Sequence, residues 1–213
     1  IPIRVPPGTA GIEPKLVLAY NSRGGPSAYG FGWAVGGISS VQRGPRNIPE
    51  DGSVRGVYLE QRDALYLDGE KLVQVSVNTD GSREFRTRVD NYSRIRAYDW
   101  NDLGPKRIVV NTRAGLKLFF GSSSASRVSQ DPNGPVLTWL CDRIEDSVGN
   151  YMTFAYVIDG LDHRLLEVSY TGNDQAKLLP YAKVAFEYSP INPYDLKYLL
   201  GSRVTQKTLL KRI

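Results

Sequence analysis

The chain has 213 residues, of which 41% are hydrophobic and 23% charged, a composition typical of globular proteins that excludes disordered, collagen-like and coiled-coil chains. Its 27 basic and 22 acidic residues give a net charge of +5. Because the basic residues are spread along the sequence, they do not indicate a nucleic-acid-binding surface. The longest apolar run, 16–20, has about five residues and is far too short to span a membrane. Abundant glycine, proline and tyrosine favour turns and half-buried strands over long helices.

The first predicted strand, 14–20, ends at a turn-forming stretch, 21–27, and is followed by Gly30-Phe31-Gly32-Trp33. The missing side chains of Gly30 and Gly32 let a backbone or a ring approach closely. We therefore interpret this segment as architectural, with Trp33 largely buried, so that Trp33→Ala costs about 3–5 kcal/mol. The alternative, a phosphate-binding loop, is not favoured, because no apolar strand leads into the segment and no helix pattern follows it.

From residue 52 onward, short strand-like runs alternate with turn signals at roughly ten-residue spacing. The turn signals are the glycine-containing pairs at 68–69, 80–81, 114–115, 133–134 and 149–150. The strand-like runs cover 57–59, 64–67, 71–77, 84–89, 107–112, 116–120, 136–140, 141–147, 151–156, 165–170 and 182–188. Since no run has the spacing of an amphipathic helix, the sequence predicts an all-β, antiparallel, hairpin-rich fold with few short helices. Such a pattern is typical of a sandwich, a barrel or a shell, and we expect the fold to be sandwich-like or a section of a larger β-sheet wall.

Five arginines lie close together in the middle of the chain, at positions 83, 86, 88, 94 and 96. They alternate with apolar residues at nearly every second position, which is the spacing of the solvent face of a strand. We interpret the cluster as a solvated sheet face. The alternative, a phosphate-binding stripe, is not accompanied by a recognisable nucleic-acid-binding fold.

Residues that could carry catalysis are scarce, since the chain has one histidine and one cysteine. His163 lies in a stretch rich in aspartate that is typical of an exposed turn, whereas a catalytic histidine needs a nucleophile and an orienting acid. Cys141 is interpreted as a small buried hydrophobe, with a thiolate activated by Arg143 as the alternative. Oxygen-rich clusters at 99–102 and 142–150 lack the spacing of a calcium loop and are explained by turn formation. We expect no catalytic residue, no cofactor and no metal ligand.

Three aromatic residues, Tyr92, Tyr98 and Trp100, are candidate ligand contacts. Exposed aromatic rings stack on sugars and on partner proteins, and these three lie close together in the sequence. The alternative is that they fill cross-strand positions in the predicted sheet.

The beginning of the chain resembles a known family in the order and spacing of its residues. The matching positions are 2–3, 5–11, 14, 16, 18, 20–22, 30, 32, 33, 38–39 and 43. They resemble the opening of the Salmonella virulence plasmid B protein (SpvB) family, which includes the amino-terminal part of insecticidal toxin complex B components and many proteins with Rhs/YD repeats. Later matches, at 67–73, 142–151, 170–173 and 180–181, extend the resemblance over nearly the whole chain.

Residues 142–170 are similar to a single degenerate YD repeat, with Asp146, Gly149 and Asn150 as its motif residues. Physically this is a hairpin unit, in which Gly149 and Asn150 form the turn and aromatic residues pair across the strands. One unit does not indicate an array, because repeat folds need several stacked copies to bury a continuous core. We expect any array to lie beyond residue 213.

The resemblance implies a function. It implies a non-enzymatic structural module of a large, secreted or cell-surface, toxin-like protein, contributing to a β-sheet shell or scaffold that encloses, exports or delivers a carboxyl-terminal toxin. The implied partners are downstream Rhs/YD-repeat and toxin segments of the same polypeptide and other toxin-complex subunits, with no nucleic acid and no membrane span. Since the chain starts at Ile1 and ends in a strand-like run, we expect residues 1–213 to be a fragment. The alternative function is a glycan- or receptor-binding β module that uses exposed aromatic side chains.

Overall fold

The computed structural model describes the backbone of residues 1–213 and the side chains of residues 1–193 and 198–213. Strands dominate, and the pairings given for the described strands are antiparallel. The helical segments in the described chain are α1 (Ile48–Asp51) and two 3₁₀ turns, Thr9–Gly11 and Ser124–Ser126. The strands are β1 (Val17–Tyr20), β2 (Trp33–Gly36), β3 (Ser40–Gly44), β4 (Ala64–Leu67), β5 (Glu70–Val77), β6 (Arg83–Thr87), β7 (Arg94–Tyr98), β8 (Arg107–Asn111), β9 (Lys117–Phe120), β10 (Arg127–Ser129), β11 (Val136–Glu145), β12 (Asn150–Asp159), β13 (Asp162–Asn173), β14 (Ala182–Ala185), β15 (Glu187–Leu199) and β16 (Ser202–Arg212). The predicted all-β, antiparallel fold with few short helices is confirmed.

The chain divides into two compact units, and the first consists of Ile1–Ile38 together with Val148–Ile213. It contains the β1–β2 ribbon, the three neighbouring strands β12, β13 and β14, and the long β15–β16 hairpin. Its core includes Leu165, Val168 and Tyr170 of β13, which are almost completely buried. Val168 and Tyr170 alternate with polar neighbours, which is the pattern of a strand with one buried face. The three-residue step from Leu165 to Val168 coincides with a register shift in the pairing of β12 with β13, which keeps both side chains buried.

The second unit, Ser39–Ser147, is a closed sheet. Its eight strands follow the order β11-β3-β4-β5-β6-β7-β8-β9, and β9 pairs back with β11. Because Ile95 pairs with Val110 and Ile108 pairs with Phe120, these four fully buried side chains line the same face of the sheet. A sandwich would need two separate sheets packed face to face, so the sandwich-like prediction is not confirmed.

Glycine-containing turns connect the hairpins as the sequence predicted. Between β4 and β5, Asp68 and Gly69 have φ values of +50° and +85°. Two consecutive positive φ angles define the tight turn whose twist matches that of antiparallel strands, and Asp-Gly tolerates this conformation better than most residue pairs. Local turn chemistry thus determines how β4 reverses into β5.

The predicted strand at 57–59 is wrong, since these residues form a loop. The carboxylate of Asp63 accepts hydrogen bonds from the backbone amides of Tyr58 and Glu60, both at 3.1 Å. Between them, Leu59 has a φ of +60°, which a strand does not allow. A buried acid therefore holds an apolar run in an irregular conformation.

None of the helices among the described residues has the length and hydrophobicity needed to cross a membrane.

Candidate functional site

The Gly30–Trp33 segment is a tightly folded loop that leads into β2. Gly32 has a φ of +77°, and a Cβ atom at this position would lie 2.7 Å from the carbonyl oxygen of Asn21 and 2.8 Å from the ring of Tyr20. Tyr20 also pairs with Trp33 across the β1–β2 ribbon, with ring centroids 5.3 Å apart. Glycine is therefore required at position 32 by both conformation and space.

Trp33 itself is half-buried, whereas the sequence led us to expect a largely buried side chain. The physical reason is that β1 and β2 form a two-stranded ribbon, so that few neighbours cover the indole. The amides of Gly32 and Trp33 donate to the carbonyl oxygens of Gly25 and Gly30. These amides are already bonded within the loop, which disfavours the alternative of a phosphate-binding loop.

The motif residues of the segment 142–170 lie between the end of β11 and the start of β12. Asp146 directly follows β11 and is half-buried. Gly149 has a φ of +83°, and its carbonyl oxygen accepts a hydrogen bond from the amide of Asp174. The buried side chain of Asn150 accepts a 2.8 Å hydrogen bond from Nδ2 of Asn173, its partner across β12 and β13. Gly149 and Asn150 thus close one end of the β12–β13 pair.

The candidate aromatic residues do not form one binding platform. Tyr92 lies in the turn before β7 and is 69% exposed, whereas Tyr98 is the last residue of the same strand and is half-buried. They are therefore separated by the length of β7. An arginine guanidinium lies over each ring, at 5.2 Å for Arg113 on Tyr92, 4.6 Å for Arg107 on Tyr98 and 4.0 Å for Arg83 on Trp100. These cation–π contacts occupy ring faces that a sugar would need.

Three arginines of the cluster share one acid, Glu84, which the sequence alone did not single out. Glu84 is only 8% exposed. Its carboxylate lies 2.9 Å from Nε of Arg94, 3.0 Å from Nη2 of Arg86 and 3.5 Å from Nε of Arg96. Burial alone would raise the pKa of Glu84, but the surrounding guanidinium groups hold this pKa below its usual value. Arg86, Arg94 and Arg96 thus form an ion-paired sheet face with Glu84, which lies opposite Arg96 across β6 and β7. Arg83 lies opposite Ala97 on the other face of β6, so the interpretation of all five arginines as one solvated face is wrong for Arg83.

A second polar centre, also absent from the sequence analysis, lies inside the closed sheet. The Arg43 guanidinium lies 3.2 Å from the Asp63 carboxylate, and the two side chains are 1% and 0% exposed. Arg43 also donates from Nε to the carbonyl oxygen of Val136 at 2.6 Å, and its other nitrogens bond the carbonyl oxygens of Glu60 and Leu103. The inward position of Arg43 follows from its spacing two residues after Val41 on β3. Through these contacts the centre connects β3 with β11 and with the loops before β4 and β8.

The structure buries Cys141 and exposes His163, as the preferred sequence interpretations predict. Cys141 is completely buried, and burial raises the pKa of its thiol far above the usual range. The prediction of a buried hydrophobe is therefore confirmed. His163 is exposed and is the second residue of β13, opposite Ile158 of β12. The predicted exposed turn between β12 and β13 is confirmed at 160–161, but His163 itself lies in the strand.

The oxygen-rich clusters serve loop structure. Asp142 accepts hydrogen bonds from the amide and the hydroxyl of Ser122 and from the hydroxyl of Ser126, at 2.7, 2.9 and 2.6 Å. Asn101 accepts a 2.8 Å bond from the amide of Leu103 two residues later, an Asx turn. Within the described part of the chain, no group of three or more His, Cys, Asp or Glu side chains is placed to hold a metal ion.

The second unit also contains a polar cleft with a volume of about 410 Å³. The cations Arg46, Arg62, Lys71 and Arg83 line it together with the rings of Phe85 and Trp100. Of the three candidate aromatic residues, Trp100 alone lines this cleft. The sequence signal that could have located it is the combination of Trp100 with Arg83, although the pairing depends on the register of β6 and β7.

Comparisons with solved structures show the same fold in toxin components. The N-terminal domain of effector protein SpvB from Salmonella typhimurium strain LT2 has a TM-score of 0.70 at 18% identity, covering 99% of this chain and 85% of that one. The crystal structure of TcdB2-TccC3 has a TM-score of 0.71 at 17% identity, covering 98% of this chain and 13% of that one. The Photorhabdus luminescens Tc holotoxin pore has a TM-score of 0.66 at 17% identity, covering 92% and 12%. The chain thus spans only a small part of the toxin-complex chains.

The search among curated proteins gives no match. The profile of the family described as Salmonella virulence plasmid 65kDa B protein matches residues 1–183, which is most of the chain. The resemblance inferred from the spacing of the first 43 residues is thereby confirmed. The chain belongs to the SpvB family.

Proposed function

We propose that this chain is a non-enzymatic structural module of a large toxin-like protein. It contributes to a β-sheet shell or scaffold that encloses, exports or delivers a carboxyl-terminal toxin, and it acts in a secreted or cell-surface protein. The observation that carries the proposal is that the fold of nearly the whole chain recurs as 13% of a much longer chain in the TcdB2-TccC3 structure. Its partners are then the toxin segments of the same polypeptide and other toxin-complex subunits.

The internal electrostatics support a structural role. The most deeply buried charged side chains that we describe are engaged with each other or with backbone carbonyl groups, as Arg43 and Asp63 are. Glu84 is surrounded by arginines in the same way. An active site usually keeps a titratable group available to a substrate, whereas these groups are used to hold strands and loops together.

Limited proteolysis of the whole polypeptide encoded by the gene tests the proposal. We expect a carboxyl-terminal segment that resists protease in the wild type and becomes sensitive when the module is unfolded by Trp139→Ala. Arg113→Gln, on an exposed turn, is the matched control and should leave protection unchanged. The proposal fails if the polypeptide has no protected segment or if Trp139→Ala unfolds the module and protection persists.

The alternative of a glycan- or receptor-binding module stays a prediction. The arginines over Tyr92, Tyr98 and Trp100 disfavour it, because each occupies a ring face. A glycan array with the wild type and the folded Trp100→Ala variant tests it, and saturable binding that the substitution abolishes would favour this alternative over the scaffold.

A further inference from the structure

The polar cleft of the second unit has an excess of positive charge. Of its acidic lining residues, Glu50 and Asp51 bind the Lys71 ammonium group, with Glu50 at 3.0 Å. Asp63 is paired with the buried Arg43. Arg62 and Arg83 have no acidic partner among the described side chains, although both line the cleft. Two arginines are therefore left without a counter-charge in one cavity.

Arg83 has side-chain hydrogen-bond donors that the described residues do not fill. Its guanidinium carbon lies 4.0 Å from the centre of the Trp100 ring, which also stacks on Phe85 at 6.0 Å. Where a guanidinium group stacks flat on a ring, its N–H donors point outward in the plane and stay available to a ligand. The acceptor that we find for these donors is Oε1 of Gln74, at a long 3.4 Å.

Partial burial of Arg83 strengthens the attraction between its guanidinium group and an anionic ligand. Desolvation lowers the pKa of Arg83 from its usual value, yet an arginine remains charged at neutral pH. In a partly desolvated cleft an opposite charge is attracted more strongly than in bulk water. Nearly buried apolar side chains, Leu65, Leu72 and Phe85, complete the lining and can contact an apolar neighbour of the anionic group.

We propose that this cleft binds an acidic peptide segment, with a carboxylate on the in-plane edge of Arg83, a second acidic group near Arg62 and an apolar side chain on the Leu65–Leu72 side. A guanidinium fork matches a carboxylate through two parallel hydrogen bonds. The volume of about 410 Å³ lies in the range of sites for ligands larger than a single inorganic ion. This inference does not depend on the proposed shell function.

The test is a titration of the folded 213-residue chain followed by NMR. The probes are a terminally blocked tetrapeptide of sequence LEDL, the uncharged counterpart LQNL, and sodium sulfate at matched ionic strength. The Trp100 indole N–H signal, assigned with Trp100→Phe, reports binding next to Arg83. The variants are Arg83→Gln, Arg83→Lys and Arg62→Gln, with Arg113→Gln as the control, because Arg113 also lies over an aromatic ring but outside the cleft.

We expect LEDL to shift the Trp100 signal saturably and LQNL not to. Arg83→Gln should weaken binding about tenfold or more, and Arg83→Lys, which keeps the charge but loses the fork, should weaken it less. Arg62→Gln should also weaken it, and Arg113→Gln should leave it unchanged. If Arg83→Gln fails to fold, the exposed Arg62→Gln and the LQNL comparison in the wild type still decide the outcome. Equal binding of LEDL and LQNL, no saturable binding, or binding of sulfate without LEDL would overturn the proposal.

Discussion

The guanidinium of Arg43 and the carboxylate of Asp63 form a 3.2 Å ion pair inside the closed sheet, where neither side chain is more than 1% exposed. Desolvation lowers the pKa of Arg43, while Asp63 and the nearby carboxylate of Glu60 partly restore it. Such a pair is weak support for overall stability, but breaking it leaves an uncompensated buried charge. The pair also connects β3 with the irregular loop before β4.

The first prediction follows from this arrangement. Asp63→Ala should destabilise the protein by about 3–5 kcal/mol, because Arg43 keeps its charge without its partner and the amides of Tyr58 and Glu60 lose their acceptor. Urea unfolding followed by circular dichroism measures this change. The control is Asp159→Ala, which removes an exposed pair with Lys207 and should cost at most about 1 kcal/mol. Equal costs for the two substitutions would contradict the buried-pair account.

The second prediction concerns Gly32. Gly32→Ala should cost about 3 kcal/mol or more, because it combines a positive φ with a clash against the backbone of Asn21. Gly160 has a φ of +62° in the same unit, and a Cβ atom there would meet no atom within 4 Å. Gly160→Ala should therefore show the conformational cost alone, about 1 kcal/mol. Unfolding midpoints that are the same for both variants would show that the loop adapts and that space at position 32 is unimportant.

The third prediction compares two tryptophans. Trp139 is completely buried, and its Nε1 donates to the carbonyl oxygen of Pro105, whereas Trp33 is half-buried on a two-stranded ribbon. Trp139→Ala should cost about 3–5 kcal/mol. Trp33→Ala should cost about 1–2 kcal/mol, less than its sequence context suggested, since part of the indole is in contact with water in the folded state. Denaturant unfolding measures the loss of unfolding free energy in each variant. A larger loss for Trp33→Ala than for Trp139→Ala would refute the assigned burial.

The fourth prediction concerns acid unfolding. The pKa of Glu84 is lower in the folded protein than its usual value of 4.5, so the unfolded chain binds a proton on this group more readily than the folded protein does. The stability that this carboxylate contributes is present above its unfolded pKa and is lost as the pH falls from about 4.5 through the folded pKa. Glu84→Gln should therefore lose less stability than the wild type over this acidic range. Parallel pH dependences of the unfolding free energy in the two proteins would contradict this.

Much of the fold could be predicted because its determinants are local. Alternating apolar residues identify strands, and pairs such as Asp68-Gly69 identify the turns that reverse them. The closure of the sheet could not be predicted, because it depends on pairings between distant residues, such as Val41 with Trp139 and Phe120 with Cys141. The run 57–59 was mistaken for a strand because its conformation depends on the carboxylate of Asp63.

In the candidate site, too, local features could be predicted from the sequence, whereas contacts between distant residues could not. The proximity of Tyr92, Tyr98 and Trp100 in the sequence suggested one surface, but the length of β7 separates the first two and only Trp100 reaches the polar cleft. The roles of Arg43 and Glu84 were missed because their partners come from other strands and loops. Spacing places such residues on a face of a strand, whereas the register of the sheet determines which charges meet.

Electron cryomicroscopy of the whole gene product tests the central claim most directly. The account predicts that residues 1–213 form part of the wall of a closed β-sheet shell, with the carboxyl-terminal toxin segment inside its lumen. A gene product in which these residues form a separate domain outside any shell, or in which no lumen exists, would contradict it.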